Sequence, residues 1–283
     1  MPQVNVFARL DNEYYQLTGA EKKVADYVVS HEKQTQYMSI SELAEECGVA
    51  EATISRFCRR MGYKGYSAFK LAVANSTVIP ERVSPIQEMD LEEGEISPCQ
   101  RLYNADVAAI AQTRKLIRPE EIARAVDLMM GAGKVLCMGQ GGSMIMAQEA
   151  AHLFSTVRPN FYPICDAHMQ AIWTAQLAPG DVVLYFSYSG ATRDLVEVLA
   201  QAKGRGARCI LISRFPKSPG SQYADLVLQC GSKEGPLQLG TVAARMAQLY
   251  LLDVLFHEMY QRDPKGAEES RERIADALSE KHL

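Results

Sequence analysis

The sequence predicts two unlike parts: an all-α bundle at the N-terminus and an α/β domain with a parallel sheet behind it. Three observations carry that prediction. Residues 1–78 show helical periodicity with helix start and stop signals and no alternating strand pattern. From residue 134 onward, short apolar runs alternate with helical stretches, which is the pattern of a three-layer parallel sheet. Between them, residues 79–103 carry prolines and a block of acids without apolar periodicity, so this stretch reads as a linker. The expected division is therefore 1–78, 79–103 and 104–283.

In the first part, Thr18 with Glu21 and Ser39 with Glu42 both have capping-box spacing, which sets two helix starts. Gly48 stops the second of these helices, because glycine enters the left-handed turn without strain. A further helix follows over Glu51–Met61, with Ile54, Phe57, Cys58 and Met61 inward and Thr53, Ser55, Arg56, Arg59 and Arg60 outward. A short helix, a glycine turn and a second helix with polar and basic residues form a helix-turn-helix pattern. Between Ala52 and Pro80 the charged residues are Arg56, Arg59, Arg60, Lys64 and Lys70, with no acid among them. The chain as a whole is acidic, at −4, so any nucleic-acid surface has to be local, and this one-signed stretch is where it falls. A bundle with a solvated basic face fits the same pattern. Phe57, Tyr63 and Phe69 are assigned to its core.

In the second part, helices over Ala105–Leu116 and Glu120–Met130 precede strands at Lys134–Met138, Phe161–Ile164, Asp181–Phe186, Arg208–Ser213 and Asp225–Leu228. A long helix is expected from about Leu239 to Tyr260. Its apolar residues lie on more than one side, which suits either a subunit contact or burial on its own sheet. Ligands of such sheets bind outside the carboxyl ends of the strands. Two turns lie there. One is glycine-rich, Gly139-Gln140-Gly141-Gly142-Ser143. The other is hydroxyl-rich, running Ser187, Ser189, Gly190 and Thr192 into a helix start. Helix-start amides and neutral hydroxyl donors together suit a phosphate.

Several classes are excluded or disfavoured. No GxxxxGK[ST] loop is present, and GQGGSM lacks the third glycine of the dinucleotide fingerprint. Seven scattered cysteines without a C-x-x-C pair, and no HExxH, leave no metal signature, and no cofactor is expected. No segment has the apolar length of a membrane span and no signal peptide is visible, so a cytoplasmic chain is expected.

The string SISELAEECGVAEATISRFCRRMGYKGYSAFK is similar to the helix-turn-helix signature of RpiR-type regulators. GQGGS, SYSGATRD, D-x-H-x-Q at Asp166–Gln170, Glu234 before a long helix, and RMAQLYLLDVLF resemble the SIS (sugar isomerase) domain that follows in that family. The resemblance implies a three-layer αβα domain with a five-stranded parallel sheet and a DNA-binding regulator of sugar metabolism that responds to a phosphosugar. It implies that Ser187, Ser189, Gly190 and Thr192 hold the phosphate. Gly139, Gly141, Gly142 and Ser143 line the sugar side, and Glu234 stands where SIS isomerases keep an acid/base. With the helix from Ala52 to Met61 in the major groove, Thr53, Ser55 and Arg56 near its start are expected to reach base edges, and Arg59, Arg60, Lys64 and Lys70 phosphates. Expected partners are double-stranded operator DNA, the phosphosugar and further copies of the chain as a homodimer or homotetramer. A departure is Gln140, where relatives often have a small or apolar residue; its side chain is expected to reach the pocket. The alternatives are a phosphosugar isomerase with an accessory helical domain, using Glu234 and His168, and a regulator with an unused pocket.

Overall fold

The computed structural model describes residues 6–77, 97–232 and 241–279. These described residues fall into two compact units that divide between residues 102 and 103.

The first unit is helical: α1 (Val6–Glu13), a 3-10 turn (Tyr14–Gln16), α2 (Gly19–Ser30), α3 (Glu32–Thr35), α4 (Ile40–Glu46), α5 (Glu51–Arg60) and α6 (Tyr66–Thr77). Both expected capping boxes form. Thr18 and Glu21 close the start of α2, and Ser39 and Glu42 that of α4. After α4, Gly48 adopts φ +62°, with Val49 N–H bonded to Ala44 C=O and Gly48 N–H to Glu45 C=O. This pair of bonds is the Schellman stop, and it aims α5 away from α4. Ile54, Phe57, Cys58 and Met61 are fully buried, as their spacing predicts. Phe69 meets Phe57 and Tyr63 edge-on, each at 5.5 Å between ring centres. The aromatics are core, and α5 is held by its apolar face with its polar face outward.

Next come α7 (Pro98–Leu116) and α8 (Pro119–Gly131). Helix α7 begins well before Ala105 and takes in the end of the expected linker; Pro98 at its first position costs nothing because that N–H has no helical acceptor. Residues 79–96 of that linker lie outside the described residues. Then β1 (Val135–Gly139), α9 (Gly142–Ser155), β2 (Phe161–Pro163), α10 (Ala167–Ala175), β3 (Val182–Phe186), α11 (Arg193–Gly204), β4 (Arg208–Ser213), β5 (Leu226–Gln229), α12 (Val242–Arg262) and α13 (Pro264–Ser279) follow.

All five strands are parallel, in the order β2-β1-β3-β4-β5. Strands β1 and β3 are buried along their whole length, which is why they read as unbroken apolar runs. Alternate residues serve opposite faces. Val135, Cys137, Val182, Leu184 and Phe186 pack with α8, α9 and α12, whereas Leu136, Met138, Val183 and Tyr185 pack with α11. Helix α12 is consumed largely by its own sheet: Leu251, Leu252, Leu255 and Met259 are all buried. The charged α13, with its weak apolar stripe, gave no signal in the sequence.

Asp181 aligns the starts of β1 and β3. Its two carboxylate oxygens accept from Lys134 N–H (3.0 Å) and Ala178 N–H (2.9 Å). Replacing it by leucine strands both amides, and Asp181→Leu is expected to lower unfolding free energy by about 3 kcal/mol. Asp181→Asn, which keeps one acceptor, should lose less. Urea midpoints at unchanged slope measure both.

Candidate functional site

The helix-turn-helix face is built on α5. No side chain caps its start at Ala50; Glu51 in the first turn instead accepts a bond from Ser41 Oγ. Arg56 and Arg59 are exposed, and Thr53 and Ser55 partly so. Arg56 Nη2 donates to Thr53 Oγ1 at 3.3 Å, so these two side chains lie together on the outward face. Lys64 is exposed in the turn before α6.

Two of the expected cations are engaged within the bundle. Arg60 Nη1 pairs with Glu21 Oε2 at 3.0 Å, and its Nη2 donates to Gln16 C=O. Burial opposes the charge on Glu21, but bonds from Thr18 and the Arg60 guanidinium outweigh it and hold this carboxyl below its usual range. Lys70 Nζ and Tyr66 OH both donate to Met38 C=O, at 3.1 and 3.0 Å. Burial pulls the Lys70 ammonium below its ordinary pKa, while the charge of Glu42 works the other way. Long side chains with partners at these distances brace the bundle. A further cation, Arg9, pairs with Glu13 at 3.2 Å, and its guanidinium lies against Gly62, 2.7 Å from where a Cβ would stand. Its signal was weak, because α1 has no cap motif.

In the α/β unit the strand order reverses at β1 and β3. The turns after these neighbouring strands start helices on opposite faces, α9 and α11, and the crevice between them is the ligand position for this topology. Both predicted turns lie there, with Gly139 in register with Phe186. At Gly139 the backbone of α9 passes so closely that a Cβ would fall 2.7 Å from the Ser143 carbonyl.

The second turn is folded around its own hydroxyls. Ser187 is buried; its N–H donates to Ile212 C=O (3.0 Å), and its Oγ accepts from Gly190 N–H (3.2 Å) and lies 3.4 Å from Thr192 Oγ1. Ser189 Oγ accepts from Ala191 N–H at 3.3 Å. Thr192 is exposed at the start of α11, which has no side-chain cap. Gly190 has φ +61°, and its carbonyl accepts from Gly220 N–H at 2.8 Å. Three hydroxyls and a helix start thus converge within six residues.

Gln140 behaves differently from the expectation. Its Nε2 donates to Gln170 Oε1 at 3.0 Å, toward α10. Gln170 is fully buried and donates in turn to Gly139 C=O (3.1 Å) and Ile164 C=O (2.9 Å). A buried amide oxygen needs a donor, and Gln140 supplies it. The D-x-H-x-Q stretch is explained the same way: Asp166 caps α10 through Met169 N–H (2.9 Å), and Gln170 ties the helix to β1 and β2. His168 is exposed on α10. Glu234 lies outside the described residues. Beyond β5, Tyr188 OH and Arg214 Nε both donate to Ser232 C=O at 2.9 Å. Arg245 Nη1 comes within 3.5 Å of the place a Cβ would take on Gly142, a neighbour that only the fold reveals. Among the described residues no group of three His, Cys, Asp or Glu is placed to hold a metal.

A model of the rpiR-family helix-turn-helix domain matches residues 4–78, and a SIS-domain model matches 128–258. An HTH-type transcriptional regulator of Caldanaerobacter subterraneus subsp. tengcongensis is 31% identical over 262 residues, covering 93% of each chain. This chain belongs to the RpiR family of helix-turn-helix transcriptional regulators. HexR of Pseudomonas aeruginosa, another HTH-type regulator, is 30% identical over 89% of this chain and 87% of its own. The structure of Vibrio vulnificus NanR complexed with ManNAc-6P superposes with a TM-score of 0.88 at 26% identity, covering 99% of this chain and 100% of that one. The sugar isomerase domain of a Sphaerobacter thermophilus RpiR transcription factor shares the fold alone, with a TM-score of 0.57 at 24% identity over 62% of this chain and 97% of that domain. No described helix of this regulator is long and apolar enough to cross a membrane.

The glycine at 190 is testable directly. A Cβ there would sit 2.2 Å from Ser218 Oγ, in a left-handed backbone that costs about 1–2 kcal/mol for a residue with a side chain. Gly190→Ala is expected to lower the melting temperature. Adding Ser218→Gly should recover the collision part of the loss and leave the backbone part.

Proposed function

We propose that this regulator senses a phosphosugar at the crevice between the β1 and β3 turns and couples it to operator binding by α5. The observation that carries this reading is the Ser187–Thr192 turn, whose three hydroxyls and uncapped helix start converge at the strand-order reversal. Ser187, Ser189, Thr192 and the Gly190 amide hold the phosphate; Gly139, Gly141, Gly142 and Ser143 face the sugar, and Glu234 is a further effector contact. The ManNAc-6P complex of the similar NanR supports a phosphosugar as the ligand class.

On the DNA side, Thr53, Ser55 and Arg56 read base edges while Arg59 and Lys64 meet phosphates. Arg60 and Lys70 act by bracing α5 and α6 through Glu21 and Met38. One helix contacts few bases, so two copies on a pseudo-palindromic operator are required. The reading head spans 1–78 and the sensor begins with α7, which shortens the connection to 79–97. The chain works in the cytoplasm, without cofactor and without turnover. The isomerase alternative needs Glu234 as base and His168 to open the ring. The relatives that match along their whole length carry the names of regulators.

Two measurements test the reading. Thermal melting with a panel of sugar phosphates, ManNAc-6P included, should show a shift with at least one; none at all would overturn the sensor. Arg56→Ala with Arg59→Ala should abolish operator retardation while keeping that shift. Turnover of an aldose or ketose phosphate, lost in Glu234→Gln, would favour the isomerase instead.

A further inference from the structure

Tyr185, Gln140 and Gln170 meet on the α11 side of the sheet, near its carboxyl end, and one of the three is unsatisfied. Tyr185 of β3 is fully buried, in the apolar cluster with Leu136, Met138, Leu195 and Leu199. Its hydroxyl has no hydrogen-bond partner among the described residues. A phenolic O–H in such a place is unfavourable until an acceptor reaches it. Burial pushes its pKa up to about 12; the Gln140 side chain beside it works the other way, and the charge of Asp194 adds to the rise. Gln140 has an acceptor to offer. Gln170 Nε2 faces the carbonyls of Gly139 and Ile164, which can only accept, so its amide cannot be turned round. Gln170 Oε1 therefore faces Gln140, and Gln140 answers with its Nε2 at 3.0 Å. That order leaves Gln140 Oε1 unused in this chain of bonds, near a hydroxyl that lacks an acceptor.

The two residues belong to the two sides of the crevice. Gln140 is part of the glycine turn after β1. Tyr185 stands two residues before Ser187 on β3, in register with Met138 of β1. We propose that Tyr185 and Gln140 form a latch beneath the effector: a ligand that bridges the two turns draws them together, and the Tyr185 hydroxyl then donates to Gln140 Oε1. A phosphate on Ser187–Thr192 with its sugar on Gly139–Ser143 is such a bridge, so the latch rests on the sensor reading. Closing the bond adds to the affinity for a bridging ligand and adds nothing for an anion that meets one turn alone. Tyr185 is a positioning residue here. Being fully buried, it acts on the sugar phosphate through the glycine turn.

Tyr185→Phe removes the hydroxyl and keeps the ring, and melting and titration calorimetry on the full chain read the result. Without ligand the variant should melt at or slightly above the wild-type temperature, because the lost hydroxyl had no acceptor. Each sugar phosphate that shifts the wild type, ManNAc-6P tried first, should bind the variant about 10-fold more weakly. Inorganic phosphate, which reaches only the hydroxyl turn, should affect the melting of both proteins equally. In a Gln140→Leu background, Tyr185→Phe should change sugar-phosphate affinity no further, since the acceptor is already gone. A lower melting temperature of the ligand-free variant means that the bond is made before the effector arrives, and overturns the latch. Equal sugar-phosphate affinities of variant and wild type overturn it too, as does a loss that persists in the Gln140→Leu background or is matched by inorganic phosphate. A wild type that no sugar phosphate shifts sinks the sensor reading and the latch together; the other adverse outcomes sink the latch alone.

Discussion

Strands β1 and β3 are hydrogen-bonded neighbours, yet the helices that follow them lie on opposite faces of the sheet. That divergence is the constraint on which the sensor unit depends. It opens a crevice at the carboxyl end of the sheet without a hinge or a second domain, and it brings together turns that lie some fifty residues apart. The Asp181 carboxylate sets the relative height of the two strands from their opposite ends. Gly139 then lets α9 start against the strand, and Gly190 lets the second turn pack on the loop after β4. The chemistry of the crevice is a product of backbone geometry first and of side chains second.

The same economy shows in the reading head. The apolar face of α5 is fixed by Ile54, Phe57, Cys58 and Met61, and its direction by the glycine stop after α4. Arg60 and Lys70, at the far end of this helix and on the next, act as struts whose partners lie far away in sequence. Cations on a DNA-binding unit therefore divide into those that reach out and those that hold the unit in shape.

Much of this was legible in the sequence. Capping-box spacing, glycine stops and fully apolar strand runs are local signals, and each produced the expected element. The hydroxyl turn was legible because three donors around one glycine exceed what a helix start needs. What stayed hidden depends on long-range partners. A lysine at 70 looks available until the Met38 carbonyl is placed beside it, and Gln140 looks free until Gln170 is found buried and short of a donor. Helix boundaries at Pro98 and the existence of α13 were missed for a different reason: both are polar stretches whose helical state the apolar pattern does not report.

The hydroxyl turn carries no formal charge of its own at Ser187, Ser189 or Thr192. Ser187 and Ser189 each accept an amide N–H from the turn, and a hydroxyl that accepts on one side donates more strongly on the other. Each serine is thus a relay that passes backbone polarity outward. An anion held by such neutral relays releases few counterions, whereas contacts made by Arg56, Arg59 and Lys64 release many. As proposed here, the two ligands of one chain answer to different variables: the operator to ionic strength, the sugar phosphate chiefly to its own concentration.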